Sequence, residues 1–243
     1  MSGHSKWSTI KRQKAVTDQK RAQVFTKFAA AISLAAKEGG SDLETNFKLR
    51  LAIDRARAMN MPHDNITRAI ERATKPSAGN ELAEVLYEVY GPASSAFLVT
   101  CVTDNKNRAL SEIRQVINEF QGRLAESGSV LWQFEQKGIL VIPKEKLPIT
   151  EEQLQMLAID AGASDIKTYP ESVEIIVEPK DLKNCRDALM AKKIAPLESG
   201  LTYLPKNDLA IPDSKNLTQI KTFFDALSDL PDVQEVYTNV NLD

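Results

Sequence analysis

Two cysteines and two histidines are all that the 243-residue chain holds of the residues most often used for redox and metal chemistry. Cys101 and Cys185 are too few for a disulfide framework and fit a reducing compartment. They fall in the middle of a strand pattern and a helix pattern, where cysteine behaves as a small buried hydrophobe. His4 and His63 have neither a cysteine nor a second histidine at ligand spacing, so no metal site is expected. The glycine-rich phosphate loops, the GxSxG nucleophile elbow and the HExxH zincin motif are all missing. No catalytic residue and no cofactor is therefore expected. No run approaches the ~20 apolar residues of a membrane-spanning helix, and no apolar stretch follows the basic N-terminus as a secretory signal would require. The chain reads as a non-enzymatic cytoplasmic protein with no membrane partner.

Acids are scarce at one end only. The whole chain has 31 Lys+Arg and 33 Asp+Glu, a net charge of −2 that hints at no polyanionic partner. Residues 1–76, however, hold 15 Lys/Arg against 7 Asp/Glu, a surplus of eight positive charges. Residues 77–243 hold 16 against 26, a deficit of ten. The near-zero sum is a cancellation between two electrostatic halves. With 42% hydrophobic residues the chain can build more than one core, and its length suits two or three domains.

Residues 1–21 show no apolar periodicity and read as a flexible basic arm. A helix from about residue 22 carries Val24, Phe25, Phe28, Ile32 and Ala35 on one stripe and stops at Gly39-Gly40. Ser41 and Glu44 resemble a capping box for a second helix, with Leu49, Ala52, Ile53 and Ala56 facing inward. At 100° per residue, Lys48 and Arg55 lie on one border of that stripe and Arg50 and Arg57 on the other. Pro62 opens a third helix on Ile66, Ala69, Ile70 and Ala73, with Arg68 and Arg72 one turn apart. Residues 75–80 are a linker by composition.

Beyond the linker the period changes to that of strands. Strands are expected at 84–90, 96–103 and 129–135, with a helix at 108–120 after the second. The order then becomes βαββαβ: strands at 138–142, 165–169, 173–178 and 197–203, helices at 150–161 and 182–192. This is the split-βαβ, ferredoxin-like pattern. Residues 84–135 are one helix and one strand short of a similar sheet, and the C-terminus supplies a helix at 217–230 and a strand at 233–238. The expected fold is α+β and multidomain: a three-helix domain, then two α/β sandwich domains, the last ferredoxin-like and inserted into the middle one. The boundaries are 1–21 (arm), 22–76 (helical domain), 80–136 plus 206–243 (discontinuous α/β domain) and 137–205 (insert). A lone C-terminal helix and strand would bury Phe223, Phe224 and Leu227 poorly and leave a sheet edge unpaired.

Function points to the basic unit. Lysines and arginines that neutralise phosphates release counterions and provide sequence-independent affinity for nucleic acid. The candidate contacts are Lys6, Lys11, Arg12, Lys14, Lys20, Arg21 and Lys27 on the arm and first helix, and Lys48, Arg50, Arg55, Arg57, Arg68 and Arg72 on the other two. Trp7 is suited to stacking on a base or to packing on the helices. The Asp104-Asn105-Lys106-Asn107-Arg108 turn reads first as a helix cap; Lys106 and Arg108 beside a helix N-terminus make it a secondary phosphate contact.

A set of short motifs runs in order along the chain: Gly3-His4-Ser5-Lys6-Trp7, Lys20-Arg21 with Phe25-Thr26-Lys27, Asn60-Met61-Pro62 with Asn65-Ile66 and Arg68-Ala69-Ile70, Tyr90-Gly91-Pro92, Thr103-Asp104-Asn105 with Asn107-Arg108, Glu126-Ser127-Gly128-Ser129-Val130 with Trp132 and Phe134, and Asp232-Val233-Gln234 with Val236-Tyr237. Together they resemble the YebC/PmpR family over essentially the whole chain. The resemblance implies three domains, helical then α/β then α/β, and no enzymatic activity. It implies a cytoplasmic DNA-binding transcriptional regulator; related members, including a mitochondrial translational activator of cytochrome oxidase, act on translation by associating with ribosomes. Duplex DNA and ribosomal RNA are thus both open as the polymer, with ribosomal or transcription-machinery proteins as partners for the acidic domains. The chain departs from the family pattern after Gly91-Pro92, where Ala93-Ser94-Ser95 replaces a Gly-rich turn, and at Val89, where glycine is common.

Overall fold

The computed structural model describes residues 18–74 and 81–242. Lys6, Trp7, Lys11, Arg12 and Lys14, and the linker at 75–80, lie outside the described residues.

Three helices come first: α1 (Asp18–Gly39), α2 (Phe47–Ala58) and α3 (His63–Thr74). Asp18–Arg21, read above as the end of the arm, instead form the first turn of α1. Helix α1 ends at Gly40, whose φ of 83° is the left-handed conformation that glycine adopts at least cost. The cap of α2 is not Ser41 but Asn46. Its side-chain oxygen accepts from Leu49 N at 2.9 Å, while its amide donates to Ala35 O and Gly40 O at 2.7 Å each. One buried amide therefore serves the end of α1 and the start of α2, which Ser41 is too far back in the loop to do. Ile32, Ala35, Leu49, Ile53, Ala56, Met61, Ile66 and Ala69 form the helical core.

Strands β1 (Ala83–Tyr90) and β2 (Ala96–Thr103) form an antiparallel hairpin, followed by α4 (Lys106–Glu119) and the two-residue strand β3 (Arg123–Leu124). In the hairpin turn Ala93 and Ser94 have φ of 52° and 61°, so this chain holds left-handed backbone with residues that bear a Cβ. β4 (Phe134–Pro143), α5 (Glu151–Asp160), β5 (Ala163–Thr168), β6 (Ser172–Val177), α6 (Leu182–Ala191) and β7 (Glu198–Pro205) then build a sheet ordered β5-β6-β4-β7, antiparallel throughout. This is the ferredoxin-like arrangement. The chain returns through α7 (Ser214–Ser228) to β8 (Val233–Thr238), which pairs with β2 and completes the first sheet in the order β3-β1-β2-β8. The ferredoxin-like module is thus inserted into the middle α/β unit.

Burial explains the closure. Phe223 and Leu227 of α7 pack with Ile113 and Ile117 of α4 on Val89, Phe97, Val99 and Cys101 of the sheet, with Phe97 and Phe223 edge-on at 5.0 Å. Leu98 and Ala96 face the other way, onto Val130 and Phe134, so β2 is buried on both sides.

The separate strand expected at 129–135 does not form: 129–133 are turn and 3-10 segment, and Phe134 and Glu135 open β4. Glu88, a buried acid on β1, accepts hydrogen bonds from Gly128 N (2.6 Å), Val130 N (2.6 Å) and Leu131 N (2.8 Å). Three amides converging on one carboxylate curl the backbone into a turn and a short 3-10 segment, Leu131–Gln133. No extended ladder can form there, because in a strand successive amides point to opposite sides.

Candidate nucleic-acid interface

One face of the helical unit is docked against the acidic sheets, and several predicted contacts lie in that seam. Lys20 Nζ pairs with Asp229 at 2.7 Å, beyond the end of α7. Lys48 Nζ pairs with Glu84 at 2.8 Å and with Glu38 at 2.9 Å. Lys27 Nζ donates to Ser228 O at 2.5 Å; burial lowers its pKa to about 8, with Asp229 opposing the shift. Lys37, which the charge pattern did not single out, pairs with Glu81 at 2.8 Å.

Arg55 sits where all three units meet. Its Nη1 donates to Glu235 Oε1 on β8 at 2.6 Å, and its Nη2 lies 3.3 Å from Glu198 Oε1 on β7. Burial by itself would lower the pKa, but Glu235 and Glu198 together raise it above the ordinary arginine value. Gly200 on β7 makes room, since a Cβ there would overlap the guanidinium. A second arginine, Arg186 on α6, reaches back to Asp54 on α2. These charges hold the units together. The side chain of Arg55 is only 23% exposed, so it is a junction residue and not an open phosphate contact.

The rest of the predicted set divides by what each guanidinium meets. Arg50 folds back on its own loop and donates to Leu43 O and Glu44 O. Arg68 donates to Asp64 O and Asn65 Oδ1, neutral acceptors that leave its charge uncompensated. Arg57 and Arg72 are exposed, and among the described residues neither has a carboxylate within ion-pair distance. Arg21 is also exposed. Helical periodicity puts Arg68 and Arg72 on one face of α3.

The 104–108 turn is a helix cap. Asn105 Oδ1 accepts from Asn107 N and Arg108 N at 3.1 Å each. Arg108 is tied to Asp232 at 2.8 Å and Asp104 at 2.9 Å, while Lys106 is exposed.

Burial raises the Cys101 thiol to about 12 and the Cys185 thiol to about 11, so neither is a thiolate near neutrality. His63 is exposed, its Nδ1 3.3 Å from Thr67 Oγ1. Among the described residues no group of three His, Cys, Asp or Glu side chains could hold a metal ion, and no helix is long and apolar enough to cross a membrane. A cleft of about 1100 Å³ lies along the seam, between Phe28 and Leu51 of the helices and Leu86, Leu201 and Tyr203 of the sheets.

Comparison with known proteins places this architecture. Residues 5–76 match the model of the TACO1/YebC protein N-terminal domain, and residues 82–240 match that of the TACO1/YebC second and third domain. A probable transcriptional regulatory protein of Thermotoga petrophila is 44% identical over 243 residues, all of this chain and 95% of the relative. One from Caldanaerobacter subterraneus is also 44% identical, over all of this chain and 99% of its own length. The crystal structure of a conserved hypothetical protein from Aquifex aeolicus superimposes with a TM-score of 0.85 at 34% identity, covering 93% of this chain and 92% of that one. With both family models matched in order along nearly the whole length, the chain belongs to the TACO1/YebC family.

Proposed function

We propose that the protein is a transcriptional regulator that binds duplex DNA through its basic arm and the outward end of its helical domain. A regulatory role follows from the names of its relatives. The observation that carries the DNA reading is the distribution of uncompensated charge. Residues 1–17 hold four Lys/Arg and no acid, and they lead into a domain that exposes Arg57, Arg68 and Arg72 without carboxylate partners among the described residues. Such charges keep their counterions in the free protein and release the DNA's on binding, which is the source of phosphate affinity. The reading is non-enzymatic and needs no cofactor; a cytoplasmic location goes with it.

The test is equilibrium binding of the full chain to duplex DNA, structured RNA and purified ribosomes across a salt series. Tight duplex binding is expected, with log K falling against log salt by about 0.9 for each phosphate neutralised. Deleting residues 1–17 should flatten that slope. Ribosome co-sedimentation with only weak, sequence-blind duplex binding would overturn the transcriptional reading.

A further inference from the structure

The seam between the helical unit and the middle unit repeats one motif three times. Lys20 meets Asp229, Lys37 meets Glu81 and Lys48 meets Glu84. In each pair the cation comes from the basic half of the chain and the carboxylate from the acidic half. The side chains of Lys48 and Glu84 are 52% and 51% exposed, and those of Lys20 and Asp229 53% and 55%. They form a wet rim on the domain junction, whereas Arg55 with Glu198 and Glu235 forms its buried centre.

The two layers differ in how readily they exchange partners. Exposed ion pairs are weak and screened by salt. A buried, hydrogen-bonded pair resists separation because breaking it strands a charge away from water. The junction can therefore stay closed at Arg55 while its rim lysines change partners. A phosphate oxygen is a close chemical substitute for the carboxylate each lysine now holds.

We propose that Glu81, Glu84 and Asp229 act as an internal polyanion, occupying Lys37, Lys48 and Lys20 so that a nucleic-acid backbone must displace them to bind along this seam. The proposal rests on the nucleic-acid reading above and adds an autoinhibitory contact to it. It has a thermodynamic signature. A rim lysine that stays with its carboxylate neutralises no phosphate and frees no counterion, so the pair adds nothing to the salt dependence. With the carboxylate removed, the same lysine adds the full increment.

The experiment compares full-length variants binding a duplex DNA probe over a salt series. Glu81→Gln with Asp229→Asn removes the carboxylates held by Lys37 and Lys20, each the lysine's one carboxylate partner among the described residues, and leaves every lysine in place; Lys48 would keep Glu38 if Glu84 were removed. Glu119→Gln with Glu126→Gln removes the same charge from exposed positions that form no ion pair among the described residues. The seam variant should steepen the slope by about 1.8, the increment for two phosphates, and bind about tenfold more tightly near 0.1 M salt. The control variant should keep the wild-type slope. Adding Lys20→Gln and Lys37→Gln to the seam variant should return the slope to the wild-type value. Equal slopes for wild type, seam variant and control would overturn the autoinhibitory contact while the nucleic-acid reading stands. Loss of all binding at low salt in every protein would overturn both. A gain that survives removal of the two lysines would also refute the proposal, by locating the effect in the long-range field.

Discussion

The docked and outward parts of the same helical domain use the same residue types to opposite ends. In the seam, Lys20, Lys37, Lys48 and Arg55 meet carboxylates from the acidic units. At the outward end, Arg57 and Arg72 meet none among the described residues, and Arg68 meets only neutral oxygens. A count of Lys and Arg cannot tell these groups apart. The surplus of eight positive charges on residues 1–76 is thus two quantities, one part neutralised by the fold and one part open to solvent. The first group links domains, and the second has no carboxylate partner among the described residues.

Breaking the centre of the docked face should have the largest effect. Arg55→Leu leaves Glu198 and Glu235 facing each other at the junction, and losing one partner of a buried ion pair costs about 3–5 kcal/mol. A clear fall in melting temperature is the expected result; an unchanged one would mean that the three units do not depend on this contact.

Lys27 offers a smaller, pH-dependent test of the same face. Its pKa is lowered from 10.5 to about 8, so between those values the unfolded chain binds more protons than the folded one. The contribution of this residue to stability therefore rises with pH through that window, and below pH 8 the cost of burying the ammonium is fully present. Lys27→Met should remove the dependence. Denaturant midpoints measured below and within the window should show the wild type gaining on the variant by about 2 kcal/mol or less. Parallel pH profiles would show that the ammonium is solvated.

The outward end should respond least in stability. Arg57→Gln with Arg72→Gln should stay within about 0.5 kcal/mol of the wild type. The same variant should lower the salt slope for duplex DNA by about 1.8. If instead it unfolds the domain and leaves the slope alone, the two faces have been assigned the wrong way round.

Much of the architecture could be read from periodicity. The βαββαβ order predicted the ferredoxin-like sheet, and the unpaired helix and strand at the C-terminus correctly pointed back to the first sheet, because Phe223 and Leu227 needed a core to enter. Local patterns failed where a distant group took over the backbone. Asn46 caps α2 because it also ties down α1, and 129–133 are not extended because Glu88, forty residues earlier, gathers the amides of Gly128, Val130 and Leu131. The site was read less completely. Helical geometry put Lys48 and Arg55 on one border of α2, and both do face the same way, but nothing local says that Glu84, Glu198 and Glu235 wait across the gap.

By itself, the sequence determined the helical and strand content, the two electrostatic halves and the need for the C-terminal helix to rejoin an earlier sheet. Those depend on hydrophobic spacing and composition, which act over a few residues or over a whole domain. Only the tertiary structure decided which cations are neutralised. An ion pair depends on a few ångströms of separation between residues that here lie up to about 200 positions apart, and on whether water screens them. The attraction between a positive and a negative half was present in the composition, but folding settled that it is satisfied along one face and left open at the other.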